Sequence, residues 1–177
     1  VSKTQPAEAV QALAAQGQRA FGENYVQEGV DKVEALRALG LEWHFIGPLQ
    51  SNKTRLVAEA FDWGHTVDRL KIAQRLAEQR PPQLAPLQVC LQVNVDGGAN
   101  KSGVTPMELP ALAAAVATLP RLKLRGLMAI PEPAPDFESA RAVLVQVRVL
   151  FDQLNSSGLG LDTLSMGMSD DLEAAVA

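Results

Sequence analysis

Two hydrophobic periods alternate along the chain. In some segments apolar residues recur every three to four positions, as on one face of an amphipathic helix; in others they recur at every second position, as in a strand. Residues 23–39 show the first period, with apolar side chains at Val26, Val30, Val33, Leu36 and Leu39. Residues 87–95 show the second, with apolar side chains at Leu87, Val89, Leu91, Val93 and Val95. Strands and helices are therefore expected to follow one another from end to end.

The alternation predicts seven strands, at 1–3 (the end of a strand only), 19–22, 42–46, 63–67, 87–95, 124–130 and 163–166. Helices are predicted at 6–16, 23–39, 51–60, 68–79, 110–119 and 137–155, and a last one begins at Ser169. Strands separated by helices indicate a parallel sheet. No Gly-x-Gly-x-x-Gly motif follows the first strand, which disfavours a dinucleotide-binding sheet. The pattern predicts an α/β fold, a (β/α)8 TIM-type barrel that is incomplete because its eighth strand is absent.

Composition narrows the class of protein. The 177 residues carry a formal charge of -4, which suits one domain and gives no basic surface for nucleic acid. No apolar run is long enough to span a bilayer. Cys90, the single cysteine, lies in an apolar strand and is expected to be a core side chain. We expect a cytoplasmic protein without a membrane partner, and the two histidines and one cysteine give no metal-ligand spacing.

Polar residues gather at the predicted carboxyl ends of the strands, where α/β barrels build their sites. Lys3 is the first of them. A lysine there is either a solvated surface amine or a desolvated amine poised to form a Schiff base with a carbonyl compound.

The segment 164–169 is a strand, a glycine turn and a predicted helix start. Backbone amides at such a position bind phosphate groups in many barrels. Ser169 is therefore expected to cap the helix, to bind a phosphate oxygen, or both. Asp170 and Asp171 suit the helix dipole but would repel an anion unless they point away from it.

His44 lies in the third predicted strand and shares one face with Ile46, opposite Trp43 and Phe45. It either faces the barrel interior or packs under the helices. A histidine satisfied in the core is the simpler interpretation, and His65 has still less to mark it as a catalytic group.

Six motifs occur in an order that resembles a known family. They are VSKT at 1–4, FGENYVQE at 21–28, WHFIGPLQSNK at 43–53, KSG at 101–103, GLMAIP at 126–131 and LSMGMSDD at 164–171. The chain resembles the pyridoxal phosphate homeostasis protein family, which is related to the barrel domain of alanine racemase. The resemblance extends over essentially the whole chain.

This resemblance implies a barrel that binds pyridoxal 5'-phosphate (PLP) as an aldimine on Lys3. It places Ser169, with backbone amides from Gly167 onward, in the phosphate cradle, and Ser165 close to it. Strand ends that would line the pocket carry Asn24, His44, Ile46, Asn94 and Met128. Lys101 is similar in position to a basic residue near the cofactor in the racemases.

Family members continue beyond the last residue into an Arg-Ile-Gly-Thr strand and begin with a helical segment before the lysine strand. We therefore expect residues 1–177 to be a single PLP-binding domain that is a fragment, truncated at both ends. The resemblance further implies a protein without catalytic activity, a monomer, that carries PLP for intracellular homeostasis and hands it to PLP-dependent apoenzymes.

Two alternatives stay open. The chain could be an enzyme, either a PLP-dependent racemase or a Schiff-base aldolase that uses Lys3 with Glu23 as the nearest candidate base. It could also be a scaffold with a vestigial site. Racemisation needs a second acid/base group, which related racemases take as a tyrosine from another domain, and Tyr25 is the only tyrosine here.

Overall fold

The computed structural model describes residues 1–97 and 102–177. Its strands are β1 (Ala20–Glu23), β2 (Glu42–Phe45), β3 (Trp63–Val67), β4 (Leu87–Gln92), β5 (Leu122–Met128) and β6 (Thr163–Ser165). Its α-helices are α1 (Ala7–Ala15), α2 (Val26–Ala35), α3 (Thr54–Ala60), α4 (Leu70–Gln79), α5 (Leu109–Ala117), α6 (Phe137–Ser156) and α7 (Leu172–Val176). Short 3₁₀ turns at Arg37–Leu39 and Ser51–Lys53 extend α2 and precede α3.

The six strands form one parallel sheet whose spatial order is the chain order, β1 to β6. Sequential parallel strands with a helix in each connection are the repeating unit of a (β/α)8 barrel. The predicted fold class is therefore confirmed, with the barrel incomplete in this chain. Since all strands run the same way, their carboxyl ends share one edge, and that edge positions the candidate site.

The predicted first strand is not a strand in the structure. Residues 1–2 are irregular, and Lys3 and Thr4 form a turn. One backbone bond remains of the expected pairing, from the Ser2 amide to the Gly22 carbonyl at 2.9 Å. The segment thus lies beside β1, where a preceding strand would lie, but three residues are too few to build a ladder.

Four predicted helix starts are two to three residues too early, those of α2, α3, α4 and α7. Helix α4 begins at Leu70 with Arg69 as its N-terminal cap residue, and Asp68, the first residue of the predicted helix, forms an ion pair with Arg69. Helix α7 begins at Leu172 and not at Ser169. The reason lies in the preceding turn, where the Asp171 carboxylate accepts a hydrogen bond from the Met168 amide and closes residues 168–171 before the helix starts.

The two faces of the sheet differ in chemistry. The outer face packs against the helices and forms the large apolar core, in which Phe45, Leu91 and Leu127 are fully buried. The inner face holds a small separate cluster of Trp63, Cys90 and Met128. Cys90 is fully buried, as predicted for a core thiol, and burial raises its pKa to about 12. In the described residues no helix combines the length and the apolarity that crossing a bilayer requires.

Candidate functional site

The predicted site residues lie along the carboxyl edge of the sheet. Asn24 follows β1, Ile46 follows β2 and Asn94 follows β4, each partly buried. Met128 ends β5 and pairs in register with Ser165, which ends β6. Gly167 and the exposed Ser169 follow in the next turn. Lys101 lies outside the described residues.

Lys3 itself is exposed, but the residues on either side of it are held in place. Ser2 is buried, and its hydroxyl donates to Glu23 Oε1 at 2.6 Å. The Ser2 carbonyl accepts from Lys32 Nζ at 2.8 Å. The Thr4 amide donates to Glu28 Oε1 at 2.6 Å. The backbone around Lys3 is thereby fixed on both sides by one group of side chains.

That group is a charged cluster of Glu23, Glu28 and Lys32, which we call the ion cluster. The Lys32 ammonium lies 2.9 Å from Glu23 Oε1 and 2.7 Å from Glu28 Oε1. Glu23 is fully buried and Lys32 is 5% exposed. Burial lowers the pKa of Lys32, but the hydrogen bonds and charges of both carboxylates outweigh it, so the net pKa is raised. The hydrogen bond from Lys32 lowers the pKa of Glu28.

Thr4 has a left-handed backbone, with φ of 62°. A β-branched residue rarely adopts this conformation, and it costs on the order of 1–2 kcal/mol. The hydrogen bond from its amide to Glu28 offsets that strain. Strained residues persist where the surroundings over-determine them, and they cluster at functional sites.

Glu23 does not face the barrel interior. Its Cβ packs against Gly29 of α2, on the helix side of β1, and its Oε1 is bonded to Ser2 and Lys32. The carboxylate therefore has a structural partner on the outer face. This placement removes the one nearby base that the aldolase alternative had.

The ends of β1 and β2 are joined tightly by Gly47. A side chain at position 47 would place its Cβ 1.9 Å from the Asn24 carbonyl oxygen, so only glycine fits there. The Oδ1 atom of Asn24 is buried and has no hydrogen-bond partner among the described residues. A cleft of about 400 Å³ opens beside it, lined in part by Tyr25 and Lys53.

The turn after β6 is built around Gly167. Its φ is +92°, and a Cβ there would lie 2.7 Å from the Cβ of Ala175. The Met168 amide, a predicted donor of the phosphate cradle, is bonded to the Asp171 carboxylate. Asp171 therefore points toward these amides, not away from them. A larger cleft of about 510 Å³ lies beside this turn and includes Ser169 in its lining.

Inside the barrel, a continuous hydrogen-bonded chain joins three strands. Glu42 Oε1 lies 2.8 Å from His44 Nε2, and His44 Nδ1 lies 2.9 Å from His65 Nε2. His65 Nδ1 lies 2.7 Å from the Ser165 hydroxyl. We call these four residues the histidine chain. It begins at the amino end of β2, where Glu42 is exposed, and it ends at the carboxyl end of β6.

His44 and Ser165 are predicted site residues, whereas His65 is predicted only to be a core histidine. His65 is buried, and desolvation together with the charge of His44 lowers its pKa to about 4. It is the link between the two predicted residues. The shared interior face of β2 and β3 could have suggested the pair of histidines, but the contact with Ser165 joins positions that are 100 residues apart.

The side chains of two further predicted residues, Asn94 and Met128, are engaged in contacts of their own. Asn94 Oδ1 accepts a hydrogen bond from the Gly97 amide at 3.0 Å, so it shapes its own loop. Met128 is 4% exposed and packs with Trp63 and Cys90 within the barrel. Both lie at the carboxyl edge, yet their side chains have structural contacts that account for them.

The described residues fit a phosphorylated aldehyde in three respects. Lys3 supplies an amine on a turn whose backbone is fixed. The amide of Met168 already binds an anion, although here the anion is the carboxylate of Asp171. Asn24 offers a buried oxygen without a partner in the described part of the chain.

Comparison with known proteins gives a consistent result. Residues 3–176 match the family described as alanine racemase, N-terminal domain. The chain is 63% identical over 176 residues to the pyridoxal phosphate homeostasis protein of Pseudomonas aeruginosa, covering 99% of this chain and 75% of that protein. It is 58% identical over 180 residues to the protein of the same name in Escherichia coli strain K12, covering 77% of it.

Solved structures agree. PipY of Synechococcus elongatus with PLP bound is 38% identical, with a TM-score of 0.88, and the match covers 99% of this chain and 82% of that one. An alanine racemase of Clostridium difficile is 15% identical with a TM-score of 0.71 over 89% of this chain and 41% of the racemase, a likeness that concerns the fold alone. The chain therefore belongs to the alanine racemase N-terminal domain family and, within it, to the pyridoxal phosphate homeostasis proteins.

Proposed function

We propose that this chain binds PLP at the carboxyl edge of its sheet, with Lys3 as the amine that holds it, and that it serves PLP homeostasis without turnover of its own. One observation carries the proposal. A lysine at the strand edge has both of its neighbours fixed by the ion cluster, in a chain 63% identical to a protein named for PLP homeostasis.

PLP supplies an aldehyde that condenses with a primary amine and releases water. In our assignment Lys3 Nζ is that amine. Gly167 and Ser169 would hold the phosphate, with Asp171 leaving the Met168 amide. Asn24, Ile46 and Ser165 would surround the ring, whereas Asn94 and Met128 would shape its surroundings through the loop and barrel contacts described above. His44 would act on the site through His65.

Absence of turnover is part of the proposal. Racemisation needs an acid/base group on each face of the ring, and Lys3 provides one. Tyr25 is 58% exposed and lies at the start of α2, where it faces the cleft beside Asn24. Glu23 is engaged on the outer face of β1. We therefore expect no racemisation of alanine.

The recipients of PLP, the monomeric state and the cytoplasmic location remain predictions from the sequence and its resemblance. A carrier in homeostasis has to release PLP to apoenzymes, and an exposed Lys3 is compatible with transfer to a second amine. That step is testable with any apoenzyme that gains activity on receiving PLP.

The test is to add PLP, record the absorbance, reduce with borohydride and map the modified peptide by mass spectrometry. We expect a coloured protein and a phosphopyridoxyl group on the Lys3 peptide. Lys3→Ala should lose both, whereas Lys71→Ala, which removes an exposed lysine of α4, should keep both. Modification spread over surface lysines, or alanine racemised by the loaded protein, would contradict the proposal.

A further inference from the structure

When both imidazoles are neutral, the carboxylate at one end fixes the direction of every hydrogen bond in the histidine chain. A carboxylate has only acceptor sites, so at Glu42 it must accept from His44 Nε2–H. A neutral imidazole has one donor and one acceptor, so His44 Nδ1 then accepts from His65 Nε2–H. His65 Nδ1 is left as an acceptor and takes the hydroxyl proton of Ser165.

Neutral imidazoles are required for this direction, and the surroundings favour them at His65. Its ring is 8% exposed and has a second imidazole, not a carboxylate, as its neighbour. Burial and the charge of His44 both oppose a positive charge there and lower its pKa.

Packing holds the rings in this arrangement. The His44 ring stacks on Trp63 with centroids 5.1 Å apart and an interplanar angle of 11°. Trp63 also lies under the Arg125 guanidinium, which is 4.7 Å from the ring centroid. Arg125 is itself paired with Asp162 at 2.8 Å. Arg125 therefore has a carboxylate partner of its own in Asp162 and does not depend on the histidine chain for one.

The contact between the two histidines has the length of a hydrogen bond, because His44 Nδ1 and His65 Nε2 lie 2.9 Å apart. No cluster of three or more potential metal ligands occurs in residues 1–97 and 102–177.

From this direction we infer that Ser165 is a hydrogen-bond acceptor in the site, so that it binds a proton-bearing group on the ring of the bound ligand and not the phosphate. Its proton is committed to His65, and phosphate oxygens need donors. Ser165 and Ser169 would then have separate roles. Ser165 would form a hydrogen bond with the ring of the ligand, and Ser169 would form one with its phosphate. Glu42, His44 and His65 are positioning residues that act through Ser165. The inference rests on the proposed function for the identity of the ligand.

The direction of the chain can be measured without any ligand. Histidine-selective ¹⁵N NMR of the whole chain at pH 8 reports which ring nitrogen carries the proton. We expect His65 to be neutral with its proton on Nε2 and with Nδ1 as acceptor. A proton on Nδ1 of His65 would overturn the inference, because Ser165 would then be free to donate.

The separate tasks can be measured with two ligands, PLP and pyridoxal, which lacks the phosphate. Ser165→Ala should weaken both ligands by the same factor, about 3- to 10-fold for one lost hydrogen bond. Ser169→Ala should weaken PLP and leave pyridoxal unchanged. Glu34→Gln, which removes an exposed carboxylate of α2 that pairs with Arg37, is the control and should change neither affinity.

Each other outcome counts against the inference. Ser165→Ala that weakens PLP but not pyridoxal would assign Ser165 to the phosphate. Ser165→Ala without effect on either ligand would remove it from the site. A wild-type chain that binds neither ligand contradicts the proposed function together with this inference. If the wild type binds PLP on Lys3 but Ser165→Ala does not weaken the binding of pyridoxal, this inference alone is contradicted.

Discussion

Two buried basic groups, Lys32 and His65, respond to burial in opposite ways. For both, desolvation is the largest influence, and it lowers the pKa. Lys32 touches two carboxylates, which outweigh desolvation, and it remains a cation with a raised pKa. His65 touches an imidazole and a hydroxyl, which offer no negative charge, and its pKa falls to about 4.

The difference explains what each network can do. The ion cluster has a fixed charge and bonds directly to backbone atoms of Ser2 and Thr4, so it fixes the position of Lys3. The histidine chain consists of side chains alone, and in our inference it fixes which atom holds each proton. One network sets geometry and the other sets hydrogen-bond direction, at two places on the same carboxyl edge.

The largest expected effect comes from removing the cation of the ion cluster. In Lys32→Met the buried carboxylate of Glu23 loses its partner, and such a loss costs about 3–5 kcal/mol. Chemical denaturation should show a drop of that size in the free energy of unfolding. Arg148→Met is the control, because it breaks an exposed pair with Asp152 on α6 and should cost less than about 1 kcal/mol. Equal losses of unfolding free energy in the two variants would mean that burial does not make the Lys32 ion pairs more important to stability than the exposed Arg148 pair.

The second effect concerns pH. In the unfolded chain His65 takes up a proton near its ordinary pKa of 6.5, whereas in the folded protein its pKa is lowered to about 4. Between these values the unfolded state binds more protons, so stability falls as pH falls. From pH 7.5 to pH 4.5 the wild type should lose about 2 kcal/mol more than His65→Gln.

Denaturation at the two pH values checks that difference, with Lys71→Met as a control that should follow the wild type. A His65→Gln protein that loses as much stability as the wild type would show that folding does not lower the pKa of His65.

The smallest expected effect tests the strained turn that the ion cluster holds. Thr4→Gly allows a φ of 62° without strain and keeps the amide that donates to Glu28. Strain relief and the added freedom of the unfolded chain oppose each other, so the free energy of unfolding should rise by about 0.5 kcal/mol. Thr4→Ala removes the hydroxyl but keeps the strain and should not be more stable than wild type. A less stable Thr4→Gly would mean that the turn is not strained.

Much of the fold could be predicted because local hydrophobic patterns indicate its strands and helices. The alternating and helical periods located all six strands of the sheet, and the order of strand and helix was sufficient for a parallel barrel. Boundaries failed where side chains compete for backbone amides. Asp171 bonds to Met168 and delays α7, and Asp68 pairs with Arg69 without capping α4. Local propensity does not decide such competitions.

The fold and the family follow from the sequence, because hydrophobic period and ordered motifs are properties of the chain, and the proposal of Lys3 as the PLP-binding amine comes from the same motifs. What surrounds that lysine follows only from the packing of the folded chain. Lys32 and His65 are each close to their partners through packing across α2 and β1 or across β2, β3 and β6. Charge at a buried group depends on those partners and on desolvation, and neither quantity exists until the strands have come together.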